Sequence, residues 1–130
     1  MQSEQSRIGI GQVPIPYRTR FISTDGSGNI TIDGDSYSAD GALKYKMKVY
    51  DHVLILDVNG TDALVIELPS VSAAEGNIYL IRFADYGGAS LQDEDDSIGD
   101  WSDLTPDADG EYAFLQAQGG QWVVLATDIS

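Results

Sequence analysis

Residues 53–83, VLILDVNGTDALVIELPSVSAAEGNIYLIRF, contain the three apolar runs that decide the fold. The runs are Val53–Val58, Ala63–Leu68 and Ile78–Phe83, each about as long as a strand and rich in Val, Ile, Leu or aromatic residues. Asn59-Gly60 separates the first two runs, and Asn-Gly tolerates positive φ at both central turn positions. The sequence therefore predicts an antiparallel hairpin here.

The third run follows a segment that suits one short helical turn. Pro69 has no N–H to give to a β-ladder, so the second strand should end at Leu68. Residues 70–76 supply a Ser for the N-cap, small residues, and Gly76 as a C-terminal glycine. The stretch predicts a three-stranded unit with a small helical cap.

A resemblance to a known family rests on this stretch and on the end of the chain. Its residues are Leu68-Pro69-Ser70, Gly76 and Tyr79, followed by GGQWVVL at 119–125 with Trp122 on the last strand. Over residues 53–126 the pattern resembles a β-domain of bacteriophage virion proteins, found in tail fibres, tail spikes and capsid-decoration proteins. The acidic stretch 93–109 departs from that pattern. The resemblance implies a structural role in a phage particle.

Composition limits the protein to a few classes. The chain has 130 residues, of which 42% are hydrophobic, so it can form one domain with a real core. It contains no cysteine, which excludes disulfides and thiolate metal sites. It has no apolar run of the roughly 18 residues that a membrane span needs, and its N-terminus lacks the signal-peptide pattern. We expect neither membrane insertion nor classical export.

Charge is divided unevenly along the chain. The net charge is −14, and residues 1–52 balance six acids with six bases. The remainder carries 15 acids against the single base Arg82. Such a surface repels nucleic-acid backbones and anionic membranes. We therefore expect neither nucleic acid nor membrane as a partner.

The first 22 residues predict an extended arm rather than a helix. Pro14 and Pro16 disfavour a helix, and the apolar residues recur at a spacing of two. Leaving scattered Ile and Val in water is unfavourable, so a docking arm is a better interpretation than a frayed end. The candidate partner-binding residues are Arg7, Ile8, Ile10, Val13, Ile15, Tyr17, Arg18 and Arg20.

Further strands are predicted on both sides of the central stretch. Residues 19–23 and 30–32 should form two strands joined by a Gly-rich loop. In KYKMKVY, residues 44–50, three lysines alternate with apolar residues, which indicates a half-buried strand whose lysines protect an edge or meet acids. Residues 111–117 and 121–127 predict a final hairpin. Its last strand is apolar on both faces, which favours a central place or a partner contact.

No catalytic or metal motif emerges from the polar residues. Neither 25–29 nor 33–35 supplies the ligand set of an EF-hand loop, and turns explain them better. His52 is the single histidine, and nothing marks a nucleophile beside it. The acids of 93–111 predict a surface loop pinned by Trp101 and Leu104, with a divalent cation as the alternative.

Together these observations predict an all-β protein, an antiparallel sandwich or barrel at 23–130 with an arm at 1–22. We expect no enzymatic activity and no cofactor. The resemblance implies a decoration (cement) protein on the outer face of a phage head, assembled in the host cytoplasm. Its partners would be the major capsid protein and copies of itself in a homotrimer. The alternative is a tail component, a fibre tip or adaptor, that binds a receptor or other tail proteins.

Overall fold

In the computed structural model, the described residues are 18–38, 43–60, 62–93 and 104–129, and they form two β-sheets and one short helix. In chain order the strands are β1 (Thr19–Thr24), β2 (Asn29–Ile32), β3 (Asp35–Ser38), β4 (Lys44–Lys46), β5 (Val53–Asp57), β6 (Val65–Glu67), β7 (Ile78–Asp85), β8 (Ser90–Gln92), β9 (Glu111–Gln118) and β10 (Gln121–Thr127). Helix α1 (Val71–Ala74) lies between β6 and β7. The all-β class predicted from the sequence is confirmed.

The two sheets are built by a chain that passes alternately through them. The larger sheet has the order β10-β9-β7-β5-β1-β2-β3, and the smaller has the order β4-β6-β8. Strands β1, β5 and β7 are parallel neighbours, as are β4, β6 and β8. The predicted antiparallel arrangement is therefore wrong for the centre of the larger sheet and for the smaller sheet. From β4 to β8 the chain alternates between the two sheets. One pass consists of a strand in the smaller sheet and the next strand in the larger sheet. The antiparallel strands β2–β3 and β9–β10 flank the parallel centre of the larger sheet.

The predicted hairpin between the first two apolar runs is wrong. Strand β5 pairs in parallel with β1 and β7, whereas β6 lies in the smaller sheet. The turn at Asn59 does form, with the Asp62 N–H donating to the Asn59 carbonyl at 2.9 Å, but it leads from one sheet to the other. The physical reason is visible in β5, which is apolar on both faces. Such a strand is stabilised at the centre of a parallel arrangement.

One hydrophobic core joins the inner faces of both sheets. Along β5 and β7 alternate side chains are fully buried, and these are Leu54, Leu56, Tyr79, Ile81 and Phe83. The smaller sheet adds the buried residues Tyr45, Ile66 and Leu91 to the same cluster. Each buried aliphatic or aromatic side chain contributes about 1.5–3 kcal/mol to folding. The period-two alternation of the sequence thus determines which side chains of each strand point into the core.

Several local predictions are confirmed. Ser70 caps α1 by accepting the Ala73 N–H at 3.3 Å, and Gly76 follows the helix with φ +85. Strands β1 and β2 form the predicted antiparallel pair. Strand β4 is an edge strand whose Lys44 forms an ion pair with Glu67 at 3.3 Å, but it ends at Lys46 and does not extend to residue 50 as predicted.

The end of the chain departs from expectation at one point. The predicted final hairpin forms, but β10 is an edge strand, and Val124 and Leu125 are 37% and 47% exposed. The register shifts between Val124 and Ala126, which leaves Leu125 as a bulge. In the acidic stretch, Leu104 pairs with Leu91, while Trp101 lies outside the described residues.

Candidate protein-binding face

The outward side of the larger sheet is the candidate site, because large apolar side chains remain exposed there. We call it the open face. It consists of the outward side chains of β1, β5, β7 and β9, which alternate with the buried ones: Phe21, Val53, Ile55, Ile78, Leu80, Arg82, Tyr112 and Phe114. Phe21 is 59% exposed, Ile78 46% and Phe114 38%. Contiguous apolar surface of this kind marks interaction sites in soluble proteins.

Strand register arranges the open face in rows across the sheet. One row runs Phe21–Ile55–Arg82–Tyr112, because these residues are direct neighbours on β1, β5, β7 and β9. The next row runs Val53–Leu80–Phe114 and ends at Ala126 on β10. The Tyr112 and Phe114 rings meet edge to face with centroids 6.1 Å apart. The open face is therefore a largely apolar surface across β1, β5, β7 and β9 that extends to Ala126 on β10 and is interrupted by Arg82.

A groove and a single charge give the open face its shape and polarity. The groove has a volume of about 250 Å³ and lies between β1, β2 and β5, lined by Phe21, Ile55, Ser23, Thr31 and Asp57 among others. Arg82 is the one cation of the open face and is exposed. A segment with apolar side chains on one side would match this surface.

At the start of β1 and β5 lies a second cluster, centred on Asp51, which is fully buried. Its carboxylate accepts Arg20 Nε–H at 3.0 Å, the Tyr45 hydroxyl at 2.5 Å and the Lys48 backbone N–H at 2.8 Å. Arg20 also pairs with Asp33 at 3.2 Å. These contacts satisfy a charge that would otherwise be costly to bury.

The surroundings of Tyr45 and Arg20 in this cluster raise the pKa values of both groups. Burial and then the hydrogen bond to Asp51 raise the pKa of Tyr45 well above its ordinary value of 10.0. Burial disfavours the Arg20 cation, but its hydrogen bond to Asp51 and nearby charges outweigh this and raise the pKa of Arg20. Tyr45 thus stays neutral and Arg20 charged, an arrangement suited to holding structure together.

The structure describes only two of the predicted partner-binding residues. Arg7, Ile8, Ile10, Val13, Ile15 and Tyr17 lie outside the described residues. The Arg18 guanidinium lies 5.3 Å from the centroid of the Tyr50 ring, and Arg20 is engaged with Asp51 and Asp33 of its own chain. Residues 19–22, assigned from sequence to the end of the arm, are paired within β1. The body of the protein therefore starts by Thr19, and Arg20 belongs to it.

Sequence reasoning did not find the open face. The one sequence signal for the open face was the apolar character of β5 on both sides, because a strand of this kind is covered on both faces of its sheet. Strand partners decide which outward side chains become neighbours, and local pattern does not specify them.

Three further findings concern metal ligands, membrane-spanning helices and similarity to known proteins. Within the described ranges, no group of three or more His, Cys, Asp or Glu side chains could hold a metal ion. No helix in that part of the chain is both long and apolar enough to span a membrane. Comparison with known proteins gave no match among family models, curated proteins or solved structures. The resemblance to phage virion domains stays a prediction.

Proposed function

We propose that this protein is a structural component of a bacteriophage particle, a decoration protein that binds the outer face of the head as a homotrimer. The open face is the observation that supports this proposal most directly. Phe21, Ile78 and Phe114 stay exposed on a protein whose net charge of −14 otherwise keeps its surface in water. Apolar area left uncovered on such a protein favours a permanent protein partner.

Particle composition tests the role. A decoration protein occupies repeated positions where capsid subunits meet, so we expect copy numbers comparable to those of the major capsid protein. Gel densitometry of purified particles measures the ratio of the two proteins. A ratio below about one to ten would contradict a head location and indicate the tail component instead.

Variants of the open face test whether it is the surface used. Phe21→Ser combined with Phe114→Ser should lower occupancy on particles at least about tenfold, since burying each ring contributes about 1.5–3 kcal/mol. Tyr37→Ser is the matched control, because Tyr37 is 53% exposed but lies beside Ile30 on the opposite side of the sheet. Equal occupancy for the double variant and the wild type would refute binding through the open face.

A further inference from the structure

The open face needs a partner whose shape and pattern fit a flat apolar sheet with a shallow groove. An extended segment fits such a surface when its apolar side chains alternate along one side. Residues 8–15 of this chain, IGIGQVPI, carry two such pairs, Ile8 with Ile10 and Val13 with Ile15, which lie on opposite sides of a regular extended segment. They precede the described body, which begins at Arg18 beside the open face.

We propose that the open face of one copy binds residues 7–16 of a neighbouring copy, so that copies join by exchanging N-terminal segments. This rests on the proposed function only in taking the open face as a binding surface, and it names the partner. Copies would join in the same way whichever particle they decorate.

The length of the segment is sufficient. Five strands separated by about 4.8 Å make the open face roughly 19 Å wide from β1 to β10. Residues 8–15 reach roughly 26 Å when extended at about 3.3 Å per residue. One segment is therefore long enough to follow a row across the face and place apolar side chains over its strands.

The prolines favour a neighbouring copy over the same chain. To cover its own open face, the segment would have to reverse direction just before β1, which begins at Thr19. Pro14 and Pro16 fix φ near −65° and favour extended geometry for the residues before them. The sequence 13–17, VPIPY, also contains no glycine to make a tight reversal. The segment should therefore lead away from its own sheet toward another copy.

Exchange of this kind is a heterologous contact, in which a segment of one copy meets a different surface on the next. Such contacts close into a ring when the rotation permits and otherwise continue as a filament. A closed ring of three copies agrees with the proposed homotrimer.

Complementation between two full-length variants tests the proposal. The arm variant is Ile8→Ser with Ile10→Ser, and the face variant is Phe21→Ser with Phe114→Ser. Molar mass is measured by light scattering on a sizing column, with circular dichroism to verify folding. We expect an oligomer for the wild type and for the Tyr37→Ser control, and a monomer for each double variant.

Mixing the two variants gives the decisive result. The intact arm of the face variant can dock on the intact face of the arm variant, but the ring cannot close, so a 1:1 complex should form. Any of four results would overturn the proposal: a monomeric wild type, a double variant that stays oligomeric, a dissociated Tyr37→Ser control, or no complex on mixing. Should the face variant fail to fold, Ile78→Ser, at a 46% exposed position, replaces it.

The measurements are made without particles, so they are independent of the test of the proposed function. A wild type that is monomeric in solution but present on particles would refute the exchange of segments and leave the decoration role standing. Self-association without any presence on particles would do the reverse.

Discussion

At the scale of single residues, Asp51 is the side chain on which one end of the larger sheet depends. It joins β1 through Arg20, the smaller sheet through Tyr45, and the turn before β5 through the Lys48 N–H. One buried carboxylate thus holds the distant strand β1 together with β4 and the turn that follows it, and its removal leaves the Arg20 cation the exposed Asp33 as its carboxylate partner.

Asp51→Asn should lower the free energy of unfolding by about 3–5 kcal/mol, because it removes one member of a buried ion pair. The matched control is Asp33→Asn, which changes the other carboxylate that contacts Arg20. Asp33 is 34% exposed, so the loss should be about 0–1 kcal/mol. Asn also tolerates the positive φ of 50° at that position. Urea denaturation measures both, and equal losses would contradict the central role of Asp51.

Tyr45 makes stability depend on pH in the alkaline range. Its pKa is raised in the folded state by burial and by Asp51, so the folded state holds this proton more tightly than the unfolded chain does. The resulting stabilisation is complete below pH 10.0, the ordinary pKa of tyrosine, and is lost as pH rises toward the folded-state value. We expect the free energy of unfolding to fall above that pH, and less steeply in Tyr45→Phe.

Tyr79, whose pKa burial also raises, should leave a residual slope in that variant. Denaturant titrations at a series of pH values measure the slopes. An identical slope in wild type and Tyr45→Phe would show that Tyr45 does not hold its proton as described.

At the scale of elements, the turn between β7 and β8 is fitted closely to the chain that leaves β5. A Cβ at Gly87 would lie 2.6 Å from the carbonyl oxygens of Val58 and Asn59, and the φ of Gly87 is +49°. Gly119 in the β9–β10 turn has a similar φ of +58° but no atom within 4 Å of a Cβ. The pair separates backbone strain from steric contact.

Gly119→Ala should cost about 1–2 kcal/mol, the strain of a left-handed conformation alone. Gly87→Ala should cost at least about 3 kcal/mol, because the new methyl group also displaces backbone. Thermal unfolding compares the two variants with the wild type. Similar losses in the two variants would mean that the β7–β8 turn packs less closely against residues 58 and 59, which follow β5, than the distances indicate.

Elements are also where prediction from sequence reached its limit. Alternation in KYKMKVY correctly placed Tyr45 and Met47 inside and the lysines outside, but it wrongly placed Val49 inside, because the strand ends at Lys46 and Val49 is 36% exposed. Pairing of β5 with β7 could not be predicted, because a two-residue turn at Asn59-Gly60 satisfies the same local pattern as a crossover. The open face depends on that pairing, and so it too was missed.

At the scale of the whole molecule, the negative net charge and the open face have opposite effects on association between copies. A net charge of −14 opposes close approach of copies, while the exposed rings of Phe21 and Phe114 favour it. Residues 1–17 carry one acid and one base, so this segment adds no net charge to a contact. Joining copies through it keeps the acidic bodies apart and still covers the apolar rows.

The alternating path of the chain has a consequence for how such a protein can vary in size. Because each pass between β4 and β8 contributes one strand to each sheet, duplication of a pass would add one strand to both sheets. The flanking antiparallel strands would stay unchanged at the ends of the larger sheet. The number of passes would then set the width of the two sheets, independently of the strands that close each end of the larger one.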